Sequence, residues 1–399
     1  MSRLDANRPI VSNPIICAPT VGPGERAVPI PDRRSKRIAF FGFYGRHNFG
    51  DDLFGYLLQE ICARIPGVRP LIVGASPQKE LTNRFNLPIA HRLWTRPSIL
   101  GAAVRTLTYL SALMRSHAVV FGGGSLFGAD ASVGFAKLIV FSGARLNKPV
   151  AAVGVSIGPF RTAERRQAFL EIIQRIPHIA VRDEASISAV AETKNVPPSN
   201  LGDLAFSLPA IYTPKRTTDR KRTLVVSVHL REYTDTVLAI LAEVDSRSLV
   251  DEIIFASLDD ESIAVTGDIA RIFAPLNVSI DRFKYGDSIT EVIDLIASAS
   301  CVVTSKLHGA IVSYVYDIPT LLFCYQRKCA EFLSDNALPG PREIHPSDDV
   351  CVEHVTALLT SSSPPRKYQR AQLHLGQFID FLSAMMDAAQ RTIVSIANV

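Results

Sequence analysis

Four residues in the stretch "VTSKLHGAIVSYVYDIPTLLF" have the types and spacing for chemistry: Ser305, Lys306, His308 and Gly309. They stand where an apolar strand-like run ends and a helix-like run begins. A lysine two residues from a histidine at a helix N-terminus can neutralise an anion and supply a proton near neutral pH. A lone histidine is usually a satisfied structural group; the Lys-x-His pair beside serine and glycine points to a site. A second cluster is "GRHNFGDD", Gly45 to Asp52. Gly45 and Gly50 suit tight or positive-φ turns, and Asn48 or Asp51 can cap a helix starting near Asp52. Capping accounts for one aspartate. Two of them, with His47 and Asn48, suggest a ligand loop in which Asp51 or Asp52 takes a proton from a substrate hydroxyl.

Three further loops carry candidates. In "FGGGSLFG", Gly122, Gly123 and Gly124 let backbone approach a ligand or a packed neighbour. The spacing is not G-x-G-x-x-G and no Walker lysine follows, so a dinucleotide is not indicated. In "AVRDEAS", Arg182 either pairs with Asp183 or Glu184 or aims its fork at a carboxylate or phosphate. In "SVHLREY", Arg231 points into a cleft or lies on the surface.

These loops need strands to hold them, and the chain has the required alternation. "RIAFFGF", "AVVFGGG", "PVAAVGVS" and "HIAVRDE" are strand-like, and helix-like stretches intervene, among them Leu53–Arg64 and Ala131–Leu146. This is the βαβ rhythm of a parallel sheet covered on both faces. It lapses in "YTPKRTTDRKR", Tyr212 to Arg222, then restarts with "TLVVSVHLR", "EIIFASL", "SIDRFKYG", "CVVTS" and "PTLLFCY". The expected organisation is a disordered lead over 1–36, an α/β domain over 37–215, a second over 216–365, and a terminal helix over 366–399 packing back. In such open sheets ligands bind beyond the carboxyl ends of the strands, where these candidates lie.

Composition sets bounds on function. The 399 residues are 47% hydrophobic and 20% charged, ordinary for a chain with a sizeable core. A net charge of +5 suits anionic substrates or a membrane surface, and no nucleic-acid motif accompanies it. Six scattered cysteines form no C-x-x-C pair, so reduced buried thiols are expected and zinc is not. The run "RRSK" with Arg37 allows peripheral contact of Arg33, Arg34, Lys36 and Arg37 with anionic lipid, although a solvated tail is the simpler reading. "SILGAAVRTLTYLSALM" is interrupted by Arg105 and does not read as a membrane span. No signal peptide is evident, and a cytoplasmic protein, active at most at the inner face of the plasma membrane, is expected.

Taken in order, N-F-G-D-D, F-G-G-G-S, G-V-S-I-G-P, V-R-D-E and S-K-L-H-G-A followed by I-P-T resemble the polysaccharide pyruvyl transferase family, from about Ile38 to Leu333. The resemblance implies two Rossmann-like domains facing a cleft in a glycosyltransferase-B-like arrangement. It also implies transfer of a pyruvyl group from phosphoenolpyruvate to two hydroxyls of a sugar or lipid-linked oligosaccharide as a cyclic ketal, in exopolysaccharide or cell-surface glycan biosynthesis. The family's Arg-Leu-His matches Lys306, Leu307 and His308, and its donor-binding arginine matches Arg182. Lysine for arginine keeps the charge but loses the bidentate fork. On this reading Arg182, Lys306, Ser305 and Arg231, with Asn48 and the three glycines, bind substrate. His308 is the acid or a phosphate ligand, Asp51 or Asp52 the base, and no metal or cofactor is required. The rivals are a nucleotide-sugar glycosyltransferase in the same cleft and a non-catalytic scaffold of polysaccharide assembly.

Overall fold

The chain's apolar runs form two wholly parallel sheets among the described residues. A computed structural model describes residues 35–74, 77–87, 93–94, 96, 98–191, 193, 198–215, 221–343, 346–361 and 368–397. The first sheet contains β1 (Lys36–Phe41), β2 (Val68–Val73), β3 (Arg84–Phe85), β4 (Ala118–Phe127), β5 (Val150–Ile157), β6 (His178–Val181) and β7 (Ser199–Asn200). Its spatial order is β3-β2-β1-β4-β5-β6-β7. The second contains β8 (Thr223–Ser227), β9 (Glu252–Ser257), β10 (Ser279–Lys284), β11 (Cys301–Thr304) and β12 (Thr320–Leu322), in the order β10-β9-β8-β11-β12. The expected two-sheet α/β architecture is therefore present. In each sheet the order reverses once, between β1 and β4 and between β8 and β11. Chain leaving those strands on opposite faces opens a crevice there.

The expected lead over residues 1–36 lies, as far as residue 34, outside the described residues, and so do Arg33 and Arg34. Lys36 and Arg37 open β1 rather than ending a tail. Of the expected linker Tyr212–Arg222, residues 216–220 lie outside the described residues. Its flanks are tied to the second sheet's side: the Tyr212 hydroxyl donates to Asp294 at 2.9 Å, and Arg222 pairs with Asp251.

The helix Phe49–Ala63 shows why the two halves meet closely. It is apolar nearly all round: Phe49, Leu53, Phe54, Leu57, Leu58 and Ile61 are all buried. A helix of that pattern must be covered on every side. One side packs on β4, where Leu58 and Phe54 lie over Gly122 and Gly123. The other meets the second half, with Phe49 edge-on to Tyr285 at 5.9 Å. Core residues of both halves, such as Phe40, Leu57, Val225 and Ile293, accordingly form one cluster. The helix Ala371–Ala397 buries Leu375, Phe378, Leu382 and Met385 in that cluster beside Leu204 and Leu208.

Polar contacts lock the same seam. Glu80, from the first half, accepts from Ser288 Oγ at 2.9 Å, the amides of Ile289 and Thr290 at 3.0 and 3.1 Å, and Thr290 Oγ1 at 2.7 Å. A foreign carboxylate thus caps the helix Ile289–Ser298, whose positive end favours an anion. Burial opposes ionisation of Glu80, but these donors outweigh it and hold the carboxyl below its usual range. The Phe49 amide donates to Leu258 O at 3.0 Å, and Asn48 bridges to Asp259.

Candidate active site

The seam brings the two crevices face to face. From the first sheet come the loop after β1, the glycines of β4, and Arg182 after β6. From the second come His229 after β8 and the turn Ser305–His308 after β11.

His308 stands at the centre. It occupies the first turn of the helix Leu307–Val315 and reaches across to the first half. Its ring meets Phe54 edge-on at 4.7 Å. A Cβ on Gly50 would overlap the imidazole, so Gly50 is there for close approach. That corrects the expectation of a positive-φ turn: Gly50 is helical, while Gly45 does adopt φ 74°. His308 Nε2 lies 3.8 Å from Asp203 Oδ2, an ion-pair distance too long for a hydrogen bond.

Asp203 is fixed for this contact. Its carboxylate accepts from the Ala205 amide at 2.9 Å and from Arg182 Nη1 at 3.2 Å. Burial would push this carboxyl up, but His308, Arg182 and the Ala205 amide together hold it below its usual range. Arg182 is held in turn. Its Nε donates to Ser156 Oγ at 2.5 Å, and Ser156 donates to Asp183 at 2.6 Å. Arg182, Asp203 and His308 therefore form a polar chain that crosses the two halves.

The two aspartates of the first loop separate cleanly. Asp52 is fully buried, and its carboxylate accepts from the Gly45 amide at 2.5 Å, Tyr285 Oη at 2.8 Å and Gln78 Nε2 at 3.2 Å. Burial raises its pKa to about 6 against those three donors. With its oxygens occupied and no solvent face, Asp52 joins the halves and is not placed to meet a substrate. Asp51 is partly buried beside Gly124 and has no hydrogen-bond partner among the described residues. Burial raises it to about 6, with His308 and Arg46 opposing and Asp52 assisting. Asp51 is the carboxyl of the pair poised to exchange a proton near neutral pH.

Several other expected ligands do different work. Cβ atoms on Gly122 and Gly123 would run into Leu58, Tyr44 and Phe54, so these two glycines serve packing, and only Gly124 faces Asp51. Asn48 caps its helix by accepting from the Gly50 amide at 3.0 Å. Ser305 is fully buried; its Oγ accepts from the His229 amide at 3.0 Å and shares a hydrogen bond with His229 Nδ1 at 2.6 Å. It positions His229 and has no face for substrate. Arg231 pairs with Asp268 at 3.0 Å with its side chain 71% exposed, so it is a surface arginine outside the cluster. Lys306 forms ion pairs with Asp259 and, at 3.4 Å, with Glu261.

One cation in the cleft was missed. Lys328 is the second residue of the helix Arg327–Asp335, just past β12. It lies within electrostatic reach of Arg182, Lys306 and Asp51, and no carboxylate among the described residues pairs with it. Burial, then the Arg182 charge, pushes its pKa down. The helices that begin at Leu307 and Arg327 both lack a side-chain cap, leaving amide donors open. His229 lies beside this place, brought down to about 4 by burial and the Lys306 charge, and so stays neutral. Arg182, Asp203 and Lys328 line a cavity of about 510 Å³ with Phe206, Tyr314 and Tyr368 on its wall. The cavity's cations can hold an anion, and His308, which does not itself line the cavity, reaches toward it through Asp203. Among the described residues, no group of three or more His, Cys, Asp or Glu could hold a metal ion.

The profile of the family described as Polysaccharide pyruvyl transferase matches residues 48–327. No curated protein matches the sequence. Among solved structures, a putative UDP-N-acetylglucosamine 2-epimerase from Listeria monocytogenes is similar at TM-score 0.61 and 12% identity, covering 90% of this chain and 98% of that one. The UDP-GlcNAc 2-epimerase from Methanocaldococcus jannaschii is similar at TM-score 0.59 and 9% identity, covering 88% and 99%. The Neisseria meningitidis enzyme bound to UDP-GlcNAc gives 0.56 and 10%, covering 88% and 100%. At such identities the likeness is one of fold: two parallel-sheet halves about a cleft.

Proposed function

Since the chain belongs to the polysaccharide pyruvyl transferase family, we propose that it transfers a pyruvyl group from phosphoenolpyruvate to two hydroxyls of a sugar acceptor. The observation that carries this reading is Lys328: a half-buried cation beside Arg182 with no carboxylate partner among the described residues, where two uncapped helix N-termini open. A small dianion supplies what that place lacks. The phosphate and carboxylate of phosphoenolpyruvate then lie against Lys328, with Lys306 and Arg182 behind it.

Transfer begins with a proton delivered to the methylene carbon, leaving C2 electron-poor. His308 supplies that proton, with Asp203, fixed by Arg182, 3.8 Å from its Nε2. A sugar hydroxyl adds to C2 while Asp51 accepts its proton. Phosphate leaves with the C2–O electron pair, stabilised by Lys328. The second hydroxyl closes the ketal and gives up its own proton, which leaves with phosphate. Tyr314 and Tyr368 on the cavity wall offer aromatic faces to a sugar ring. Asp52, Ser305, Gly122 and Gly123 support the site from behind.

Calorimetric titration with phosphoenolpyruvate, and separately with nucleotide sugars, tests the reading. Saturable binding of phosphoenolpyruvate is expected; saturable binding of only a nucleotide sugar would overturn it in favour of glycosyl transfer.

A further inference from the structure

The helices Ile99–Arg115 and Val133–Arg145 pack side by side on the first sheet. Together they carry no acidic residue, and four basic ones: Arg105, Arg115, Lys137 and Arg145. None of the four pairs with a carboxylate among the described residues. Ten large apolar side chains are exposed among the described residues, and six lie here: Ile99, Leu100, Leu107, Met114, Phe141 and Leu146. Ile99, Leu100, Leu107 and Met114 each expose more than half of their surface. Leu100, Leu107 and Met114 are spaced by seven, so they recur on one stripe of the helix, away from the buried Thr108, Ala112 and Leu113. Apolar side chains scattered over a surface need no explanation; most of them gathered on one acid-free face do.

We propose that this two-helix face docks the protein on an anionic lipid bilayer. The stripe enters the acyl boundary and Arg115, Lys137 and Arg145 meet lipid phosphates, the arrangement of an interfacial amphipathic helix. Charge decides the occupant: exposed apolar residues on two helices that carry cations and no acid match an anionic lipid surface better than a neutral protein surface. No helix among the described residues is long and apolar enough to cross a membrane, so the contact is peripheral. The face also adjoins the cleft. Beneath Arg105 and Tyr109 lies a cavity of about 630 Å³, lined as well by Arg46 and Arg96. The Arg46 charge acts on Asp51. Docking through this face would hold the Asp51 side of the site near the bilayer. The inference stands apart from pyruvyl transfer, because it concerns the outer face alone.

Sedimentation with phosphatidylcholine vesicles, with and without phosphatidylglycerol, tests it on the full chain. The protein should bind only the anionic vesicles. Leu107→Glu with Met114→Glu should weaken that binding by at least about tenfold, two charges now facing an anionic surface. Both positions are exposed, and an unchanged Tm confirms the fold. Arg33→Gln with Arg34→Gln, which belong to neither helix, should leave binding within about twofold. The proposal is overturned by absence of binding to anionic vesicles, or by loss only in the Arg33/Arg34 variant. It is equally overturned if the stripe variant binds normally and instead converts a dimer to a monomer in size-exclusion chromatography.

Discussion

Replacing each loop aspartate by asparagine separates a substrate-facing carboxyl from a structural one. Both carboxyls rise from an ordinary 3.8 to about 6, chiefly through burial. That rise corresponds to about 3 kcal/mol against ionisation at each place. A base must be ionised to accept a proton, so activity should fall as pH drops through about 6. Between pH 7 and pH 5 the ionised fraction of such a group, and with it kcat/KM, drops on the order of tenfold. The limb alone does not say which aspartate titrates, because both do so together. Substitution does. Asp51→Asn should lower kcat/KM by about a hundredfold or more and erase the limb. Asp52→Asn keeps an acceptor for the Gly45 amide and gains a donor that the orphaned buried Oε1 of Gln78 can meet. It should stay within several-fold of the parent and keep the limb. The charges around Asp51, namely His308, Asp52, Arg46 and Lys328, set where that limb falls; neutralising Arg46 should move it upward. The assay is phosphate release from phosphoenolpyruvate across pH 4.5 to 8, at acceptor saturation. A limb that persists in Asp51→Asn and vanishes in Asp52→Asn refutes the reasoning.

His308→Ala should cost about a hundredfold in turnover with an unchanged Tm, the scale of a lost general acid; near-normal turnover would remove it from that role. Lys328→Met should weaken phosphoenolpyruvate binding by about 1.5–3 kcal/mol in calorimetry, the scale of a hydrogen bond to a charged group, while Lys306→Arg should bind the donor equally or better. Glu80→Gln should lower unfolding free energy at neutral pH by about 1–3 kcal/mol, by removing a charged acceptor from four donors. The Glu80 carboxyl is depressed in the folded chain, so its contribution is full above the ordinary value near 4.3 and is lost as pH falls through the folded value. Urea melts of both forms should therefore converge in acid.

Much of the fold could be read from the chain because each strand carries its own local signal. "RIAFFGF" and "CVVTS" are short apolar runs ending at polar turns, and they became β1 and β11, each of which flanks one of the order reversals. The rule that ligands gather past such ends led to Asp51, Arg182, Lys306 and His308. Followed past the last strand and past β7, the same rule reaches Lys328 in "CYQRKCAEF" and Asp203 in "NLGDLAF". What stayed hidden was pairing over distance. Asp52 and Tyr285 are 233 residues apart, so no local pattern distinguishes Asp52 from its neighbour. Gly50 reads as a turn glycine until His308 is seen to fill the space beside it. The same holds for Ser305 and Arg231, whose partners His229 and Asp268 are fixed by tertiary packing rather than by spacing.

Pyruvyl transfer itself is tested most directly by running the reaction in heavy water. Purified protein is incubated with phosphoenolpyruvate and a panel of sugar acceptors, free and lipid-linked, and the products are read by NMR and mass spectrometry. The account predicts one phosphate released per acid-labile ketal formed, with a single deuterium in its methyl group, because the methylene carbon is protonated once. Neither phosphate release nor ketal with any acceptor, alongside turnover of a nucleotide sugar, would contradict it.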